Sequence, residues 1–119
     1  MGGIYKQGIE FVKKAISKEP KNSRFHYILG NIYANRSTPN FSLAQAEREF
    51  ILAIRSDLGD SGPHGQLYHI YYESGRYDEA EKEFLKCKSM IPKRFSEGKS
   101  MKSYEEMILR AIAKKKRWH

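Results

Sequence analysis

The chain has a single cysteine, Cys87, among 119 residues. It therefore holds no internal disulfide and no cysteine-rich zinc site, and a reducing, cytoplasmic setting is the expectation. No apolar run approaches the roughly 18 residues of a membrane span, and the first residues lack the unbroken apolar core of a secretory leader, so a soluble chain is expected. Alternation of apolar and polar residues with period two is almost missing, which argues against β-barrels and sandwiches. The string His-Glu-x-x-His is absent, and so is the phosphate-cradling Gly-x-x-x-x-Gly-Lys. No metal, cofactor or small-molecule substrate is read from what remains. A hydrophobic content of 39% is enough for one globular domain of this length.

What the sequence does contain is repetition. His26, Leu29, Gly30 and Tyr33 recur as His64, Leu67, Tyr68 and Tyr71 at a constant shift of 38. A second series, Gly8, Val12, Ala15 and Pro20, recurs as Ala46, Phe50, Ala53 and Leu58 at the same shift, and then as Ala80, Phe84, Cys87 and Pro92 at a shift of 34. Each series is one face of a helix: Ala80, Phe84 and Cys87 are spaced i, i+4, i+7. Small residues at Ala46, Ala53, Ala80 and Cys87 let helices approach closely, while Phe50 and Phe84 fill the space between them. The repeating unit is a helical hairpin whose apolar face is buried only when hairpins stack.

The third copy, "HGQLYHIYYESGRYDEAEKEFLKCKSMIP", resembles the tetratricopeptide repeat (TPR) family almost throughout, including the turn Gly75-Arg76-Tyr77. His26 and His64 stand where that family has Trp, Tyr68 where it has Gly, and Leu58 where it has Pro. The resemblance covers residues 3 to 92. It implies an all-α, right-handed solenoid of about two and a half repeats plus a capping helix. The expected layout is the second helix of an incomplete repeat over 1–20, a repeat over 22–58, a repeat over 60–92, and a basic capping helix and tail over 93–119.

Tyr33 to Ala46 is four residues longer than Tyr71 to Ala80, which places an insertion in "NRSTPNFS". It reads as a tolerated loop extension in preference to a binding loop, with Ser42 to Gln45 as a capping box for the next helix. Gly3, Tyr5 and Gly8 fall on the positions of Gly75, Tyr77 and Ala80, so residues 4 to 18 are predicted to be a helix whose hairpin partner is missing. Ile9, Val12 and Ile16 would then be able to face a partner; the reading is a fragment of a longer protein, the alternative a natural start with a solitary capping helix, and self-association through this incomplete repeat is a further partner reading. At the other end, "KRFSEGK" is the expected loop, Ser103 and Glu106 a capping box, and Tyr104, Ile108, Ala111 and Ile112 the apolar face of the last helix.

Gly59-Asp60-Ser61-Gly62-Pro63 looks like the nucleophile loop of a trypsin-like protease. Its surroundings read instead as a helix start, with Ser61 at the N-cap, Asp60 and Ser61 offering oxygens to free amides, and Pro63 in the first turn. His26 and His64 occupy the large packing position and read as packed side chains, and Cys87 as a buried, inert thiol. No catalytic constellation emerges, and the expectation is a protein that is not an enzyme.

Charge is concentrated at one end: residues 93 to 119 hold nine Lys or Arg against three Glu, or +6 of the formal +8. Lys114, Lys115, Lys116 and Arg117 complement the end of a helix dipole, and with Trp118 they form the basis of an alternative function, a nucleic-acid or anionic-membrane accessory module. The favoured reading is a scaffold that binds a peptide segment or partner protein. In the TPR family the first helices of the hairpins line a concave surface. Here those faces carry Arg24, Tyr27 and Asn31 in one copy and Gln66, His69 and Tyr72 in the other. The resemblance implies that Asn31 bonds a peptide backbone, with Tyr27 and Tyr72 as packing surfaces, Gln66 and His69 as polar contacts, and Arg24 favouring an acidic residue. A clamp for a terminal carboxylate is not expected, because Tyr27 stands where that subclass has Lys and Gln66, Ser96 and Ser100 where it has basic residues.

Overall fold

The computed structural model describes residues 3–92 and 98–118. Every regular element among them is helical: α1 (Gly3–Lys18), α2 (Ser23–Ala34), α3 (Leu43–Ser56), α4 (Gly62–Glu73), α5 (Tyr77–Met90) and α6 (Lys99–Arg117). The chain is all-α, as the missing period-two pattern predicts. None of the described helices is long and apolar enough to cross a membrane. The chain divides into two compact units, Met1–Gly59 and Asp60–His119.

In the first unit, α2 packs against both α1 and α3. Asn22 starts α2 by accepting a hydrogen bond from the Arg24 amide at 3.0 Å, satisfying one of the free donors of the first turn. His26, Leu29, Gly30 and Tyr33 are all buried, the i, i+3, i+4, i+7 stripe of a helix with one dry face. They meet Ala46, Phe50 and Ala53 of α3, which are completely buried. Contact is close at one point: a Cβ on Gly30 would lie 2.7 Å from Cε1 of Phe50, so the ring lies where only a glycine leaves room.

The second unit repeats the hairpin as α4 and α5, with α6 packed on α5. His64, Leu67 and Tyr71 are buried on α4 and Ala80 on α5, matching their counterparts in the first unit. Phe84 and Cys87 depart from the expectation of a closed core, for both are only half-buried. On the facing helix, Tyr68 occupies the place of Gly30, and its ring centroid lies 5.5 Å from that of Phe84, in the space that a glycine would leave open.

Both hairpins close through the same hydrogen bond. The amide of Ser42, the N-cap of α3, donates to the carbonyl of Tyr33 at 2.8 Å, and the amide of Arg76, the N-cap of α5, donates to the carbonyl of Tyr71 at 2.8 Å. The four extra residues of the first hairpin lie within that closure and bond among themselves. Asn35 Oδ1 accepts from the Ser37 amide and hydroxyl, Thr38 donates to the Asn35 carbonyl, and the Arg36 guanidinium lies 5.0 Å above the Phe41 ring. The turn of the second hairpin uses Gly75 at φ +76°, a left-handed conformation that costs other residues about 1 kcal/mol or more.

Several local expectations need correction. Ser42 caps α3 through the Gln45 amide, but its own amide is taken by Tyr33, so the reciprocal half of the capping box is not needed. Ser61 is the N-cap residue of α4 yet makes no side-chain cap; Asp60 Oδ1 accepts from the Gly62 amide at 2.9 Å instead. The last helix begins at Lys99, with Gly98 as N-cap, so Ser103 and Glu106 lie inside it and form no capping box. Its buried face is Glu105, Ile108 and Ile112, while Tyr104 is 53% exposed and Ala111 is exposed. In α1, Ile9 and Val12 are buried within their own unit, Ile16 is half-buried, and the large apolar side chain left outward is Phe11. The expected loop "KRFSEGK" falls largely on 93–97, outside the described residues, as do Ser96 and the side chain of Ser100.

Candidate functional site

Two polar-aromatic helix faces, one in each unit, carry the residues singled out from the sequence. On α2, Arg24 and Asn31 are exposed and Tyr27 is half-buried. The three are spaced i, i+3, i+7 and share a face, but Tyr27 is also a packing residue, its ring 5.7 Å from that of Phe50. Asn31 borders a hollow of about 290 Å³ with Ile28, Ile32, Asn35 and Thr38, in which an amide donor and acceptor stand beside apolar side chains. Beyond this face, Pro39, Asn40 and Phe41 of the inserted loop share a larger polar hollow of about 480 Å³ with Lys6, Glu10 and Lys13 of α1.

On α4, His69 is exposed, and Gln66 and Tyr72 are half-buried. Tyr72 sits between two other rings, 6.0 Å from Tyr68 and 5.5 Å from Tyr77, the latter edge-on. His69 lies 5.0 Å from Tyr68. Tyr68 is thus the centre of an aromatic cluster with Phe84, His69 and Tyr72. Burial pushes its phenol up, and the neighbouring Tyr72 and Tyr104 phenols add to the rise, so it stays a neutral donor and acceptor.

Behind this cluster lies a half-open, mainly apolar hollow of about 190 Å³ bounded by α4, α5 and α6. Gly65, Tyr68, Phe84 and Cys87 form one side, and Tyr104 and Ile108 the other. Cys87, expected buried and inert, is half-buried on the wall; burial pushes its thiol up and the Glu83 carboxylate adds to this, which keeps it a poor nucleophile. Lys88 and Glu105 also line the cavity, joined by an ion pair of 2.7 Å.

Sequence reasoning located the packed histidines but not their partners. Nδ1 of His26 lies 2.8 Å from Glu49 Oε2, and its Nε2 is 2.8 Å from the Pro20 carbonyl. In the second hairpin, Nδ1 of His64 lies 2.6 Å from Glu83 Oε2. Each glutamate immediately precedes the phenylalanine of its copy, so a Glu-Phe pair recurring at the shift of 34 was the available signal. The histidines are anchored as structural side chains. Among the described residues, no group of three or more His, Cys, Asp or Glu is arranged to hold a metal ion.

At the end of α6, the four cations of the alternative patch are not equivalent. Lys114, Lys115 and Arg117 are exposed. Lys116 turns back onto α5, 2.7 Å from Asp78 and 3.2 Å from Glu81, and these partners hold its ammonium above the usual lysine range, the Asp78 hydrogen bond first. A ligand for this patch would meet three outward cations together with Trp118, which is 78% exposed. No protein-family model matches the chain, and no curated protein matches it either.

Proposed function

We propose that this chain is a TPR-type interaction module, its hairpins stacked as a right-handed solenoid, that binds a peptide segment or partner protein through the exposed faces of α2 and α4. The observation that carries this reading is the equivalence of the two hairpins. They share buried positions, a His-Glu pair in the same register and the same closing hydrogen bond, and each presents a polar-aromatic face that the core does not fully consume. Asn31 supplies both a donor and an acceptor for an extended backbone, and Arg24 a guanidinium for an acidic side chain. Tyr27 and Tyr72 offer the large, rigid contact area typical of interface centres.

The test is selection of a binder from a random peptide display library on the full chain, followed by measurement of its affinity for variants. Because Tyr27 also packs on Phe50, the informative substitutions are the exposed ones, Arg24→Ala, Asn31→Ala and His69→Ala. Combined, they are expected to weaken binding at least tenfold with an unchanged melting temperature. Binding that survives them, falls steeply with salt and is lost when Lys114, Lys115 and Arg117 are changed to Gln would transfer the function to the basic end.

A further inference from the structure

Helix α6 carries two apolar lines. One, Ile108 and Ile112 with Glu105 beside them, is buried. The other is Tyr104, Met107, Ala111 and Trp118, the last being the C-cap. Their spacings of three, four and seven residues place all four within about 60° around the helix axis. Tyr104, Met107 and Trp118 are each more than half exposed, and Ala111 is exposed too. Single exposed apolar side chains are ordinary, but a line of them along one helix marks a contact surface.

Cations bracket this strip. Arg110, Lys114 and Arg117, at i, i+4 and i+7, lie along one edge and Lys115 along the other, all of them exposed. Lys114 falls in the gap between Ala111 and Trp118, where its aliphatic stem continues the strip. Glu106, 4.0 Å from Arg110, is the one exposed carboxylate on α6. We propose that this face of α6 docks on an anionic lipid bilayer, lying in the plane of the interface with Met107 and Ala111 toward the acyl boundary and the cations on the headgroup phosphates. The face is separate from those assigned to peptide binding, and the inference does not depend on that reading.

The make-up of the strip selects a lipid surface among anionic partners. Tyr104 and Trp118 stand at its two ends, about 21 Å apart along the axis, and amphipathic rings favour the headgroup boundary. Nucleic-acid bases would stack on those rings but gain nothing from Met107 and Ala111 between them, which have no π face. An acidic protein groove that wraps a basic amphipathic helix is obstructed, because another face of α6 is packed on α5. A fluid bilayer needs no shaped pocket, and its hold on a helix grows with the apolar area buried and the cations near its surface. The helix is not long and apolar enough to cross the membrane, so it lies on it.

Trp118 is the single tryptophan and therefore reports on its own site. The full chain is titrated with vesicles of phosphatidylcholine containing about one third phosphatidylserine, with vesicles of phosphatidylcholine alone, and with a single-stranded thymidine oligonucleotide. Trp118 emission is expected to move to shorter wavelength on the anionic vesicles and to stay in place on the neutral ones. Changing Lys114, Lys115 and Arg117 to Gln should weaken vesicle binding about a hundredfold, since each cation near such a surface contributes about a factor of five. Met107→Ser keeps every charge and should weaken binding about tenfold, with an unchanged melting temperature at so exposed a position. No shift on anionic vesicles, equal binding to neutral ones, or indifference to Met107→Ser would each overturn the proposal. Tighter binding to the oligonucleotide than to the vesicles would overturn it as well and assign the patch to nucleic acid. None of these outcomes bears on the α2 and α4 faces, which are tested on Arg24, Asn31 and His69.

Discussion

The two hairpins share a blueprint, and the core position held by Gly30 in one and Tyr68 in the other sets them apart. In α2 and α3, Gly30 admits the Phe50 ring against the helix backbone, and the core closes with Phe50 and Ala53 at zero exposure. In α4 and α5 the same place holds Tyr68, so Phe84 stays half-buried, Cys87 reaches the surface of a cavity, and an aromatic cluster forms on the helix face. Close packing and an open hollow are thus alternative outcomes at one core position.

The sharpest way to break this contrast is to delete the two phenylalanines. Phe50→Ala should cost about 3–5 kcal/mol, as expected for a fully buried ring. Phe84→Ala, from a half-buried position, should cost about 1–2 kcal/mol on the basis of the area it withholds from water. Denaturant unfolding of both variants provides the measurement, and equal losses would show that Tyr68 does not hold Phe84 out.

A smaller effect separates the glycines. Gly30→Ala drives a methyl into a ring that cannot retreat, an overpacking cost of about 1–3 kcal/mol against less than about 1 kcal/mol gained in helix propensity. Gly65→Ala places its methyl 3.7 Å from Cys87 Sγ, an ordinary contact, and should be neutral or mildly stabilising. Thermal melts should show a lowered midpoint for Gly30→Ala and an unchanged or slightly raised one for Gly65→Ala.

The smallest effects are electrostatic and lie in the second unit. The Arg76 hydrogen bond holds the Glu79 carboxyl below its ordinary range, so this contribution is present above the unfolded carboxylate range and fades as pH falls through the lowered folded value. At so exposed a site it is worth only about 0.2–1 kcal/mol. Lys116 behaves in the opposite sense. Its value is raised, so the tie from α6 to α5 is complete below the ordinary lysine range and is lost as pH rises through the folded value. The protection of the α6 amides, measured against the intrinsic base-catalysed exchange rate, should fall at alkaline pH, and Lys116→Ala should lower it already at neutral pH.

Much of this architecture was legible because helices write their buried faces at fixed spacings. His26, Leu29, Gly30 and Tyr33, and their counterparts in the second copy, announce hairpins before any coordinates are known. The four-residue insertion was legible for the same reason. The His-Glu pairs were not read, because a glutamate on a mostly polar face looks like a solvated charge until its partner is in place. Ser61 makes no side-chain cap: Pro63, the second residue of the helix, has no N–H to offer it, and the Gly62 amide is taken by Asp60. Glu105 was missed because an apolar stripe is sought among apolar residues, and nothing in its neighbours marks a carboxylate as turned inward.

The closing hydrogen bonds lead to a practical conclusion about the segment between α2 and α3. Tyr33 and Ser42 are joined across it just as Tyr71 and Arg76 are joined across a turn four residues shorter, so the hairpin does not register how much chain lies between the fastened ends. That makes residues 35 to 41 a natural port for foreign sequence. An epitope, a fluorophore-bearing peptide or a second small domain inserted after Ser37 would hang from a joint that has already absorbed one insertion, leaving the helices on either side to fold as before.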